Sequence, residues 1–161
     1  MSITVKTKKK IKADSRISIK NKKAHFDYYF LDNYTAGIVL RGCEIKSIRN
    51  GKVSISEAYC YFFKNILWVK GMHIGQYSHN NSTDNQVAMQ HKLLLNKKEL
   101  KKLSINNEKG ITIIPKRLYI NEKGLAKLEI ALAKGKKNYD KRTIIKERES
   151  NRSLKNVEFG T

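Results

Sequence analysis

Proline occurs once in this 161-residue chain, at Pro115, and glycine only nine times, so proline-rich, collagen-like and flexible-linker compositions are excluded. Cysteine is equally scarce. Cys43 and Cys60 have no metal-type pairing and cannot build a disulfide framework or a zinc site; both read as reduced, buried side chains. No apolar run approaches the roughly 18 residues that span a bilayer. Neither a lipidation motif nor an amphipathic helix with a bulky apolar face is visible. The lysines of residues 1–12 are not followed by the apolar stretch of a signal peptide. The chain therefore reads as soluble and cytoplasmic, with no membrane partner.

Negative charge is the remaining scarcity. Fourteen acidic residues face 34 basic ones, a net charge of +20, which repels itself in isolation and suits a polyanionic partner, nucleic acid first. The sequence offers little to an enzyme. It has no phosphate-binding Walker loop, nucleophile elbow or dinucleotide fingerprint, and His25, His73, His79 and His91 show no ligand spacing. No catalytic residue, metal or cofactor is expected.

The charge is unevenly spread. Residues 1–24 carry +8, residues 25–133 carry +7 and residues 134–161 carry +5, so the ends are the most basic pieces for their length and hold little apolar material. The expected organisation is a basic N-terminal arm (1–20), a central domain (21–135) and a basic tail (136–161). Within the domain, β-branched and aromatic residues cluster in Ala24–Asn33, Thr35–Leu40, Val53–Phe63, Leu67–Ile74, Ile111–Ile120 and Ala126–Ala133. Turn signals stand at Asn50-Gly51, Asn80-Asn81 and Asn121–Gly124. Two short helices interrupt the strands. One is the amphipathic Cys43–Arg49; the other is Asn96–Leu103, with Asn96 as cap and Glu99 three residues on. The pattern predicts a mainly β fold with short helices: an OB-type closed antiparallel barrel plus the tail.

Three blocks carry a more specific signal. The first is Asn21-Lys22-Lys23-Ala24-His25-Phe26-Asp27-Tyr28, continuing to Gly37–Leu40 and Arg41-Gly42-Cys43-Glu44-Ile45-Lys46-Ser47-Ile48-Arg49. The second is Lys92-Leu93-Leu94-Leu95-Asn96-Lys97-Lys98-Glu99-Leu100, and the third Ala133-Lys134-Gly135-Lys136-Lys137-Asn138-Tyr139-Asp140-Lys141-Arg142. Together they resemble the signature of the tmRNA-binding small protein B family over nearly the whole chain. The resemblance implies an OB-fold barrel gripping the tRNA-like domain of tmRNA, and a tail entering the vacant mRNA channel and decoding centre of the ribosomal small subunit. It implies an RNA-binding face of Asn21, Lys22, Lys23, Phe26, Tyr28, Arg49, Leu94, Asn96 and Lys127. Lys134, Gly135, Lys136, Lys137, Tyr139, Asp140, Lys141 and Arg142 would face the ribosome. A monomer is implied, with elongation factor Tu as a further partner in the tmRNA complex. The chain departs from the family at His25, often arginine there, at Phe26, often histidine, at Cys43, commonly tryptophan, and at Tyr139, often histidine. The tip, Val157 to Thr161, matches poorly.

The residue chemistry fits nucleic acid on its own terms. Lysines track phosphates without reading sequence, and Phe26 and Tyr28, at alternate strand positions, would share a face able to stack on unpaired bases. Phe26 reads equally as a core side chain, and Asn96 as a helix cap alone. In the tail Asp140 is placed to cap a helix, but apolar residues are too few to bury a stripe, so order is expected only against RNA. A ribosomal-protein or initiation-factor-like OB module is the rival reading; it has no need of the third block.

Overall fold

The computed structural model of the chain describes residues 17–76, 90–105 and 110–158. In chain order the elements are β1 (Ser18–Lys20), α1 (Lys22–Asp27), β2 (Tyr28–Ile38), α2 (Gly42–Arg49), β3 (Val53–Ser54), β4 (Tyr59–Phe63), β5 (Ile66–Lys70), β6 (His73–Ile74), β7 (Gln90–Leu94), α3 (Lys97–Ile105), β8 (Ile111–Ile120), β9 (Ala126–Gly135) and α4 (Asn138–Glu158). Six strands follow one another as β8-β4-β5-β7-β2-β9, and β9 pairs back with β8, closing an antiparallel ring. β8 gives one edge to β9 and divides the other between β4, at Ile113, and β1, at Arg117 to Tyr119. β3 and β6 form a separate two-stranded ribbon.

The period-2 alternation fills the ring. Leu128, Ile130 and Leu132 of β9, Leu67 and Val69 of β5, and Leu93 of β7 are all buried in one cluster with Ile48 of α2 and Leu103 of α3. Truncating a fully buried leucine such as Leu103 to alanine costs about 2–5 kcal/mol in such a core. α2 is tied in by a carboxylate. Glu44 Oε2 accepts from the Arg41 N–H at 2.8 Å, relieving an orphan donor at the helix start, while Oε1 lies 3.0 Å from the buried Nε2 of His91.

Four differences from the sequence expectation have physical causes. Residues 24–27 are helical rather than extended because Asn21 caps α1, its Oδ1 accepting from the Ala24 N–H at 2.9 Å. The long run Val53–Phe63 is two strands, β3 and β4, and Leu67–Ile74 likewise divides into β5 and β6. β7 was hidden in the second block, where lysines and leucines do not read as a strand until β2 and β5 pair with it. The sheet also begins before residue 21, since β1 pairs with β8 and Ile19 packs on the core. The turn expected at Asn80-Asn81, and residues 1–16 of the expected arm, lie outside the described residues.

Candidate nucleic-acid interface

Register assembles the first group of candidate residues. β7, β2 and β9 are consecutive neighbours, with Leu94 opposite Gly37 and Gly37 opposite Lys127. Tyr119 of β8 continues the row opposite Lys127. All four point outward, because Leu93, Ala36, Leu128 and Leu118 beside them in sequence are buried. A Cβ at Gly37 would stand 3.3 Å from Leu94 Cβ, so glycine there leaves Leu94 its place; the leucine is 52% exposed. Asn96, two residues on, is exposed at the start of α3. Its N–H donates to Glu99 Oε2 at 3.0 Å, and its carboxamide has no partner among the described residues. The carboxamide therefore does not perform the capping expected of it.

Arg49 closes this face. At the end of α2 it donates to the Gly124 carbonyl at 3.2 Å, in the β8–β9 turn that Gly124 permits with φ +77°. Arg49, Leu94, Asn96 and Lys127 thus converge, with Arg117 lying 4.7 Å over the Tyr119 ring as an addition that sequence reasoning missed. The signal was local: Arg117 and Tyr119 stand two residues apart on one strand and so share a face. The face offers cations, an apolar contact and a free amide, the set that grips a folded RNA by backbone and exposed edges.

The other candidates lie at the opposite end of the same two strands. From Gly37–Lys127 to Tyr28–Gly135 the β2–β9 ladder runs about eight residues, roughly 26 Å. Lys22 is exposed there. Lys23 pairs with Glu57 at 2.6 Å, and that hydrogen bond holds its ammonium above the ordinary lysine value. Tyr28 packs on Ala24, Ile114 and Ala133. Phe26 is on α1, not a strand, so it does not alternate with Tyr28; its half-buried ring lies under Arg148, at 5.3 Å, and Lys141, at 6.0 Å. Asn21, which the resemblance places on the RNA-binding face, is fully buried. Its amide donates to Ile55 O at 2.8 Å and Pro115 O at 3.1 Å, and its N–H to Lys116 O at 2.7 Å. Those last two carbonyls flank the residue where β8 slips register against β9, so Asn21 satisfies a bulge.

The third block joins barrel to tail. Lys134 and Gly135 end β9 opposite Tyr29 and Tyr28. The Lys136 N–H donates to Asp27 O at 2.9 Å, and its ammonium to His25 O at 3.1 Å while lying 4.9 Å over the Tyr29 ring. Burial, followed by the nearby Asp140 carboxylate, raises the Tyr29 phenol's pKa. Asp140 does cap α4, but from inside the first turn, accepting from the Lys137 N–H at 3.2 Å. Tyr139 is 63% exposed, and Arg142 is exposed without a partner among the described residues. Lys141 pairs with Asp27 at 2.7 Å. α4 runs as one continuous helix from Asn138, with these contacts to the barrel.

Among the described residues no group of three or more His, Cys, Asp or Glu converges as a metal site, and no helix is long and apolar enough to cross a membrane. The family model for the SmpB protein matches residues 18–158, a span that contains all three signature blocks. The chain belongs to the SmpB family. The SsrA-binding protein of Christiangramia forsetii is 54% identical over 144 residues, covering 88% of this chain and 91% of that one. That of Phocaeicola vulgatus is 58% identical over 103 residues, covering 63% and 69%. A solved structure described as "tmRNA-SmpB: a journey to the center of the bacterial ribosome" contains a chain 36% identical, with a TM-score of 0.64, covering 76% of this chain and 86% of that one. In this member of the SmpB family the blocks fall on α1 to α2, on β7 to α3, and on β9 to α4.

Proposed function

We propose that the chain binds the tRNA-like domain of tmRNA and brings it to stalled ribosomes for trans-translation, acting as a binder and not an enzyme. The observation that carries this reading is the separation of two polar faces by roughly 26 Å along one β2–β9 ladder, which lets a rigid barrel touch two RNAs at once. The Arg49, Leu94, Asn96 and Lys127 face takes the tRNA-like domain. Lys134 to Arg142 face the ribosome, and α4 lies in the vacant mRNA channel, where its cations replace the missing codon–anticodon contacts in the decoding centre. The relatives' names and the ribosomal setting of the solved neighbour support both partners. The chain works in the cytoplasm as a monomer, with elongation factor Tu in the delivered complex.

The test is a reconstituted translation reaction on a stop-less message, scored for addition of the tmRNA-encoded tag beside direct measurement of tmRNA affinity. The full chain should tag; Lys127→Glu should lose affinity and tagging together; truncation after Arg142 should keep affinity and lose tagging. A full chain that binds tRNA, tmRNA and unrelated RNA equally and supports no tagging would sink the reading in favour of a general ribosomal OB module.

A further inference from the structure

Between α1, β8 and the tail helix lies an open cleft that shares Lys22 and Arg117 with the residues already assigned. Its walls carry Lys20, Lys22, Lys116 and Arg117 from the barrel and Arg148 from α4, with His25 among them and Glu129 as the one lining carboxylate. Glu129 is committed to Arg117 through two contacts of 3.1 Å, which neutralises one cation and leaves four. Among the described residues none of those four has a carboxylate partner.

Like charges gathered this way repel, and the fold holds them with neutral contacts that aim them without cancelling them. Lys116 occupies the β8 bulge; its ammonium donates to Asn33 Oδ1 at 2.8 Å and lies 5.0 Å over the Phe30 ring. Arg148 lies over Phe26. His25 registers the same field: burial first, then Lys116, Lys20 and Lys136, lowers its pKa. The nearby rings Phe26, Phe30 and Tyr119 already carry Arg148, Lys116 and Arg117, so the cleft presents charge but little free stacking surface. That combination suits a sugar–phosphate backbone rather than bases.

We propose that this cleft binds RNA backbone phosphates, and that RNA seated in it fastens the tail helix to the barrel, since one wall belongs to each. The proposal rests on the RNA-binding reading above, but not on which RNA is bound.

The test is amide hydrogen exchange across residues 138–158 of the full chain, with and without saturating amounts of a short uridine RNA. Exchange in α4 should slow several-fold on RNA addition. The slowing should disappear in Lys116→Glu and in Lys20→Glu, both on the barrel, and thermal melting confirms that each is folded. Equal slowing in the wild-type chain and both variants would show that the tail binds RNA alone, and would overturn the shared cleft. Inorganic tripolyphosphate at the same phosphate concentration should act more weakly than RNA; an equal effect would overturn the assignment to RNA backbone. Tagging is measured on the same samples. Tail closure without tagging refutes only the proposed function, and tagging without closure refutes only the cleft.

Discussion

Asp27 of α1 and Lys141 of α4, 114 residues apart in sequence, form an ion pair of 2.7 Å in which both side chains are at least two-thirds covered. With Lys136 and Arg148 it fixes the tail helix against the barrel. Asp27→Asn should therefore speed amide exchange throughout α4 while changing global stability by no more than about 1 kcal/mol, the usual range for a single pair that solvent still reaches in part. Unchanged exchange in α4 would show that the pair is incidental.

Asn21 should behave as a structural residue. Asn21→Ala removes the α1 cap and leaves the carbonyls of Ile55 and Pro115 buried without a donor, a loss of about 2–4 kcal/mol visible in urea or thermal denaturation. Asn21→Asp keeps the cap acceptor but not the donors, and should also destabilise. Normal melting with weakened RNA binding is the outcome that would restore Asn21 to the recognition face.

Leu94, Asn96 and Lys127 should show the reverse pattern. Alanine at Leu94 or Asn96, both exposed, should leave stability within about 0.5 kcal/mol. Each should weaken tmRNA binding by about 1–3 kcal/mol, and Lys127→Ala should also lower the slope of log K against log salt by about one. Filter binding across a salt series reads both quantities. Glu99→Ala, which removes the carboxylate that reaches back to Asn96, should cost about 0.5–1 kcal/mol of stability instead.

His25 makes the cleft's charge sensitive to pH. Its pKa in the folded chain lies below the ordinary 6.5, so the unfolded chain binds the proton more readily. The stability from the neutral ring is complete above pH 6.5 and is lost as pH falls through the unfolded value towards the depressed folded one. Phosphates beside Lys116, Lys20 and Lys136 reverse the field acting on the ring. RNA binding should then take up a proton and strengthen as pH falls from about 7.5 to about 6. His25→Gln should flatten that profile, and NMR titration of the ring with and without RNA should show the pKa rise. A ring that titrates identically in both states would place RNA elsewhere.

From the sequence alone, a net charge of +20 pointed to a polyanionic partner, whatever the fold. It also determined β8, β9, α2 and α3 closely, because each is a local apolar period ended by its own turn or cap. The three blocks pointed to the family before any coordinate. What sequence could not determine depends on pairing between distant strands. Gly37 beside Leu94, and Tyr119 opposite Lys127, follow from the registers of β2 with β7 and of β8 with β9. A polar Asn21 in a lysine-rich block reads as surface, and only the β8 bulge, 94 residues from it, explains its burial. Phe26 and Tyr28 parted for the same reason: the cap Asn21 supplies turns residues 22–27 into a helix, and a helix and a strand present neighbouring residues in different directions. Local periodicity fixed β8, β9, α2 and α3, and tertiary hydrogen bonding decided which of the candidate side chains were buried and which were left exposed.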